Sequence, residues 1–169
     1  MENLNMFDFE NDSVNWQKPG FSDFAKIKGS VTGVMTNENG EVVSQFEDKN
    51  LIVASGLAWL ARVFAGEVFN GMTHMAVGTS ATAASTAQTT LVGSELGRVA
   101  VASRTRVNNQ VTVIATFPAG VATGALNEAG VFDGSSGSTM FARIVFGGVQ
   151  NKGANDSFQI TWVYTFNAG

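Results

Sequence analysis

The stretch Phe158-Gln159-Ile160-Thr161-Trp162-Val163-Tyr164-Thr165-Phe166, close to the end of this 169-residue chain, decides the fold. Large apolar residues occupy every second position, and three of the four residues between them are polar. Because successive side chains of a β-strand point to opposite faces, this alternation predicts a strand with one buried face. Such a strand belongs to a sheet that is covered on one side.

Similar patterns recur through most of the chain before this stretch. Residues 26–46 contain two apolar-rich segments on either side of Asn39-Gly40, a dipeptide suited to the positive φ of a hairpin turn. Asn108-Asn109 marks a second hairpin turn. The other segments with strand character are residues 72–77, 98–107, 111–118, 125–132 and 140–146. About seven to eight strands predict an antiparallel β-sandwich or a jelly-roll-like barrel.

One segment, residues 55–64, has the spacing of a helix. Its apolar residues fall at i, i+3, i+4 and i+7 and define one apolar face: Leu57, Leu60, Ala61 and Phe64. Ser55 is a suitable N-cap and Gly66 a suitable stop, whereas Trp59 lies off the apolar face. The predicted fold class is therefore mainly β, with one short α-helix and an extended N-terminal arm.

Residues 1–24 are that arm, and residues 25–169 are the predicted β-sandwich domain. The arm combines five acids and one lysine with large apolar side chains: Leu4, Met6, Phe7, Phe9, Trp16, Phe21 and Phe24. The segment as a whole has no periodicity, and a purely solvating tail has few aromatic rings. The composition predicts an arm that docks on a partner through Phe7, Phe9, Trp16, Phe21 and Phe24. The competing interpretation is that the arm folds back over its own sandwich and covers an edge strand.

The composition argues against several classes of partner. Residues 1–50 carry a net charge of −5 and the remaining residues +1, whereas nucleic-acid binding favours a basic stripe. The longest apolar run falls far short of the roughly 18 residues of a membrane helix, and the acidic first residues are unlike a signal peptide. Charged residues make up 14% of the chain, which suits a surface largely covered by other protein. We expect neither nucleic acid nor a membrane as a partner.

Few residues are candidates for chemistry. The chain has no cysteine, and its single histidine, His74, has no acid within four residues, so we expect neither a metal site nor a catalytic dyad. Glu128 lies in an apolar segment, where it would be a catalytic acid with a raised pKa or one partner of a buried ion pair. We favour a structural ion pair between Arg98 and Glu128. The prediction is therefore no catalytic residue, no metal and no cofactor.

Several short motifs between residues 27 and 166 occur in an order that resembles a known family. They are Lys49-Asn50-Leu51-Ile52-Val53-Ala54-Ser55-Gly56, His74-Met75-Ala76-Val77-Gly78-Thr79, Ala115-Thr116-Phe117-Pro118-Ala119-Gly120, Asn127-Glu128-Ala129-Gly130-Val131-Phe132, Arg143-Ile144-Val145-Phe146 and Asp156-Ser157-Phe158-Gln159-Ile160-Thr161-Trp162. The order resembles a family of small tailed-bacteriophage structural proteins found in tail-fibre, collar and baseplate gene neighbourhoods. The resemblance does not include residues 1–24. It implies a virion location, an antiparallel β-fold and no catalysis.

The resemblance and the composition together predict a phage virion structural subunit in the tail, as a fibre anchor, a collar or adaptor, or a baseplate element. Its partners would be copies of itself, in a homo-oligomer, and other virion proteins. Its location would be the virion, assembled in the host cytoplasm. A capsid decoration protein that clamps neighbouring shell subunits is the first alternative. A receptor- or carbohydrate-binding module is the second, although the aromatic residues lie mostly in strands and in the arm, not in loops.

Overall fold

The computed structural model describes residues 26–67 and 70–167, which form ten strands and one helix. The strands are β1 (Lys26–Thr36), β2 (Val42–Lys49), β3 (Leu51–Ile52), β4 (His74–Gly78), β5 (Glu95–Ala100), β6 (Ser103–Val107), β7 (Gln110–Phe117), β8 (Gly124–Phe132), β9 (Met140–Lys152) and β10 (Ser157–Asn167), and the helix is α1 (Ala54–Phe64). The arm predicted over residues 1–24, with its docking residues Phe7, Phe9, Trp16, Phe21 and Phe24, lies outside the described residues.

The strands form two antiparallel sheets of five strands each. The first sheet has the order β2-β1-β10-β7-β6, and the second has the order β3-β9-β8-β4-β5. Strand β10 lies at the centre of the first sheet, between β1 and β7. The prediction of a mainly β, antiparallel sandwich with one short helix is confirmed.

The core lies between the two sheets and is built on the alternation of β10. Phe158, Ile160 and Trp162 are fully buried, and Tyr164 is nearly so. The ring of Tyr164 packs edge-on against Phe141 of the second sheet, with 5.1 Å between the ring centroids. Burying each large apolar side chain contributes roughly 1.5–3 kcal/mol, so this one strand supplies a substantial part of the folding free energy.

Both predicted hairpin turns are present, and each contains a residue with positive φ. Gly40 has φ +80° in the turn between β1 and β2, and Asn108 has φ +51° between β6 and β7. Glycine and asparagine tolerate this left-handed region better than other residues do. Each dipeptide therefore predicts its hairpin because it contains a residue that accepts the positive φ of the turn.

The strand predicted over residues 98–107 is wrong, because the chain crosses between the sheets within it. Strand β5 belongs to the second sheet and β6 to the first. At the crossing, the Val101 N–H donates to the Thr73 carbonyl and the Ala102 N–H donates to the Ile114 carbonyl. The backbone thus stays hydrogen-bonded through the change of sheet. No Gly or Pro marks this point in the sequence.

Helix α1 begins and ends close to the predicted residues, but its N-cap differs. Val53 is the N-cap and makes no side-chain capping bond, while the Ser55 hydroxyl donates to the Met140 carbonyl oxygen at 2.8 Å. Gly66, with φ +74°, follows the last turn as predicted. Ser55 therefore attaches the helix to the sheet instead of capping it.

The buried side of α1 coincides with its predicted apolar face only at Leu60. The buried residues are Gly56 and Trp59, whereas Leu57 is 53% exposed and Phe64 is 87% exposed. Gly56 lies so close to β9 that a Cβ there would overlap the Phe141 carbonyl. Beside this contact the Trp59 ring packs edge-on against Phe141, with 5.9 Å between the ring centroids. Of the predicted apolar face, Leu60 packs against the core, whereas Leu57, Ala61 and Phe64 are on the surface.

Candidate functional site

A buried ion pair joins two adjacent inner strands of the second sheet. Glu128 of β8 and Arg143 of β9 both have fully buried side chains, and the Arg143 Nε donates to the Glu128 Oε2 at 2.7 Å. In the register of the sheet, Arg143 lies opposite Gly130, two residues from Glu128. This diagonal placement puts both side chains on the same face.

The same two side chains hold the long loop between β4 and β5. The Glu128 carboxylate accepts hydrogen bonds from three loop N–H groups, those of Ser80, Val92 and Gly93, at 3.1, 3.1 and 2.7 Å. The Arg143 guanidinium donates to loop acceptors, the Thr82 carbonyl and the Gln88 side-chain oxygen. The ion pair therefore fastens residues 79–94 to the sheet at both ends of the loop.

The chemistry of Glu128 follows from these contacts. Burial alone raises the pKa of the Glu128 carboxyl, but the hydrogen bonds from Val92, Gly93, Arg143 and Ser80 outweigh it and leave the pKa below its ordinary value. A general acid needs a raised pKa and access to a substrate proton. Glu128 has a lowered pKa and four donors already bound, so its geometry is that of a structural anchor.

The predicted pairing of Glu128 with Arg98 is wrong. Arg98 lies on β5, which is separated from β8 by β4, and it forms an ion pair with Glu95 at 2.8 Å. Its guanidinium also lies over the Phe132 ring, 3.9 Å from the centroid, and donates to the Gly134 carbonyl. Arg98 therefore holds the turn after β8, while Glu128 takes a partner from the neighbouring strand.

Sequence reasoning missed Arg143, although the signal that singled out Glu128 was present. Arg143 is the charged residue in the apolar stretch 140–146, as Glu128 is in 125–132. Two lone opposite charges in two apolar strands favour each other when those strands are adjacent. The sequence alone does not show that β8 and β9 are adjacent.

His74 takes no part in a charged cluster. Its Nδ1 lies 2.9 Å from the Thr73 hydroxyl, and it is half-buried at the beginning of β4. Within residues 26–67 and 70–167, no group of three or more His, Cys, Asp or Glu side chains is placed to hold a metal ion. Among the helices in the same ranges, none has the length and hydropathy needed to cross a membrane.

A small apolar cavity of about 170 Å³ lies between α1 and the core, lined by Trp59, Met72, Phe141 and Tyr164 among others. The Tyr164 hydroxyl and the Trp59 Nε1 have no hydrogen-bond partner among the described residues. Burial raises the pKa of Tyr164 well above its ordinary value. The Tyr164 hydroxyl therefore stays protonated, and a polar atom left without a partner costs folding free energy.

A larger, open groove of about 710 Å³ lies beside the first part of β1. Strand β2 pairs with β1 only as far as Ser30, opposite Lys49, and the chain then leaves at Asn50 for the second sheet. Beyond that point, β1 has no neighbouring strand on this side within the described part of the chain. The groove thus follows an open sheet edge.

Apolar and basic residues line different parts of this groove. Ile27, Ile52 and the exposed Leu57 of α1 contribute apolar surface. Lys28 and Lys49 are exposed and belong to the same lining. Such a groove suits an extended segment that is apolar on one side and acidic on the other. The apolar face of α1 begins at Leu57 and ends at the exposed Phe64, so the groove and the helix face are the candidate interaction surface of the domain.

Comparison with protein families, curated proteins and solved structures finds no match to this chain.

Proposed function

We propose that this chain is a structural subunit of a bacteriophage virion, assembled in the tail as a fibre anchor, a collar or adaptor, or a baseplate element. One observation carries the proposal: an exposed apolar helix face and an open groove lie beside the point where residues 1–25 join the domain. Both features suit contact with another protein chain. The motif order described above supplies the virion setting.

The exposed helix face supports an assembly role on energetic grounds. Phe64 is 87% exposed, and Leu57 and Val63 of the same helix are also exposed. Clustered exposed apolar side chains on a soluble domain commonly mark protein–protein contacts, because water contact with them is unfavourable. Burying one such side chain in a contact gains roughly 1.5–3 kcal/mol.

Two ion pairs of the domain serve its stability. The buried pair Glu128–Arg143 and the partly exposed pair Glu95–Arg98 each fasten a loop to a strand. Neither pair lines the groove. This use of charge suits a rigid building block whose work is done by its surfaces.

The proposal is tested by finding the chain in purified phage particles and counting it. About six to a few dozen copies per particle would support a tail position, which follows the cyclic symmetry of tail assemblies. Hundreds of copies would instead support the decoration of the capsid shell. Absence from purified particles would refute a virion role altogether.

Deleting residues 1–24 tests the role of the arm. We expect the truncated domain to melt nearly as the full chain does but to fail to incorporate into particles, since rings docked on a partner add nothing to the isolated domain. A truncated domain that unfolds or aggregates by itself would show that the arm belongs to its own core. That outcome would remove the arm from the proposal.

A further inference from the structure

We propose that the groove beside β1 receives residues 7–12 of a second copy of this chain, which add to the open edge of β1 as an extra strand. The inference rests on the proposed assembly function and names the partner and the site. Three observations support it. They are the open edge of β1, the side-chain amide of Asn50, which has no hydrogen-bond partner among the described residues, and the alternating pattern of residues 7–12.

On the groove side of β1, the described residues offer no strand to the backbone of Ile27. The Gly29 carbonyl accepts from the Asn50 N–H at 3.4 Å, so Gly29 faces the side that β2 has left. In an antiparallel sheet, residues two apart direct their N–H and C=O groups to the same side. Ile27 therefore faces the groove with both groups, where the described residues offer no strand to bind them. An added strand would satisfy these groups.

The side-chain amide of Asn50, in the same groove, also lacks hydrogen-bond partners among the described residues. Both polar atoms of its side-chain amide are buried and have no hydrogen-bond partner among the described residues. The amide lies against Gly29, where a Cβ would overlap it, and it lines the groove. An amide offers two donors and an acceptor, which match the C=O and N–H groups of a peptide backbone. Because both atoms are shielded where they stand, the amide would turn toward the groove, where a peptide backbone would supply those partners.

Residues 7–12 have the pattern that this groove requires. The arm as a whole is irregular, but Phe7-Asp8-Phe9-Glu10-Asn11-Asp12 alternates. In an extended strand, both phenylalanines would lie on one face and the three acids on the other. One face then carries the two rings and the neutral Asn11, and the other carries three negative charges.

The two sides of the groove match these two faces. Lys28 lies opposite Thr165 and Lys49 opposite Ser30, and all four positions are on the outer face of the first sheet. The acids of an added strand would face the same solvent side as these lysines, at a distance where opposite charges favour association. Glu47 shares that face but lies opposite Thr32, farther from the open edge. The phenylalanines would face inward, toward Ile52 and Leu57.

We assign the added strand to a second copy because a charged-residue content of 14% suits a surface covered by other protein. A tight hairpin of the same chain would bring to β1 the residues directly before Phe24-Ala25, not residues 7–12, and neither Phe24 nor Ala25 suits the positive φ of such a turn. The thirteen residues between Asp12 and Lys26 span up to roughly 45 Å when extended, enough to reach a neighbour. An arm of one copy in the groove of the next is a head-to-tail contact, which closes into a ring or continues as a filament.

Complementation between two full-length variants tests this arrangement. Phe7→Asp with Phe9→Asp disables the arm and keeps the groove, whereas Leu57→Asp keeps the arm and blocks the groove. Each variant alone should lose self-association, with a dissociation constant weakened on the order of 100-fold. Mixed together, they should form a one-to-one pair, because one intact arm and one intact groove remain. Sedimentation velocity measures both states.

The control for the groove variant is Val107→Asp, which places the same charge on an exposed apolar residue of β6, outside both the groove lining and the helix face. It should self-associate as the unchanged chain does. A charge exchange adds a second test: Lys28→Glu with Lys49→Glu should weaken association, and Asp8→Lys with Glu10→Lys in the partner copy should restore it.

Three results would overturn the inference. The first is unchanged self-association of either the arm variant or the groove variant. The second is a mixture that fails to pair. The third is an unchanged chain that stays monomeric, which would place the arm on its own domain or on a different virion protein. If deletion of residues 1–24 still prevents incorporation into particles, the proposed function stands and only the identity of the partner is wrong.

Discussion

Replacing Glu128 by glutamine should destabilise the domain severely while keeping the shape of the side chain. The glutamine oxygen can still accept from part of the loop, but its NH₂ group would face donors, the Val92 N–H or the Arg143 Nε. Arg143 would keep its charge in a fully buried position without a counter-ion. Breaking a buried pair in this way costs about 3–5 kcal/mol.

The expected loss is large compared with the stability of a domain of this size. Typical domains unfold with 5–15 kcal/mol, and each kcal/mol lowers Tm by about 2–4 °C at 150–250 residues. Glu128→Gln should therefore lower Tm by roughly 6–20 °C. Thermal and urea unfolding measure the change. Hydrogen exchange should rise first in residues 79–94, because their N–H groups lose the carboxylate.

The matched control is Glu67→Gln, which removes a carboxylate from an ion pair with Arg62 whose two side chains are more than half exposed. Exposed pairs contribute about 0–1 kcal/mol, so this variant should melt almost unchanged. Replacing both members of the buried pair, as Glu128→Leu with Arg143→Met, should recover part of the loss. If Glu128→Gln costs no more than the control, the anchoring role assigned to Glu128 is refuted.

The contribution of Glu128 also depends on pH. Its folded-state pKa lies below the ordinary value of about 4.5, so the unfolded chain takes up the proton first as the pH falls. The stabilisation is therefore complete above the unfolded pKa and is lost as the pH falls through the folded pKa. The difference in unfolding free energy between the unchanged chain and Glu128→Gln should begin to shrink as the pH falls below the unfolded value of about 4.5.

Three further substitutions have clear expected outcomes. Arg98→Met should cost about 1–2 kcal/mol through the lost bonds to the 133–138 turn, and its effect should add to that of Glu128→Gln, because β4 separates the two side chains. Tyr164→Phe should leave the melt unchanged or raise stability by up to about 1 kcal/mol, since the hydroxyl has no partner among the described residues; a larger loss would reveal one. Phe64→Ser should change the unfolding free energy of the isolated domain by less than about 0.5 kcal/mol.

The parts of the fold that follow from local pattern were predictable. The alternation of β10 correctly named its buried face, and Asn39-Gly40 and Asn108-Asn109 correctly placed two hairpins. Strand alternation and positive φ are properties of neighbouring residues, so the sequence carries them directly.

The parts that depend on distant neighbours were not predictable. The partner of Glu128 depends on the order of strands in the second sheet, which puts β9 and not β5 beside β8. The buried side of α1 depends on the close approach of Gly56 to β9. The groove depends on where β2 leaves β1, which involves only Asn50 between two strands. In each of these three cases, the local sequence pattern is compatible with several different contacts between distant residues.

The position of β10 has a consequence for how the protein is made. The first strand of the domain pairs with the last, because β10 lies between β1 and β7 in the first sheet. During synthesis β1 leaves the ribosome long before its partner exists, so the first sheet cannot close until Ser157–Asn167 has emerged. Pairing strands so distant in sequence is slow, and the waiting strands expose unpaired edges that favour aggregation. Nascent chains stalled before residue 157 should therefore bind chaperones, and chains that include β10 should be released from them.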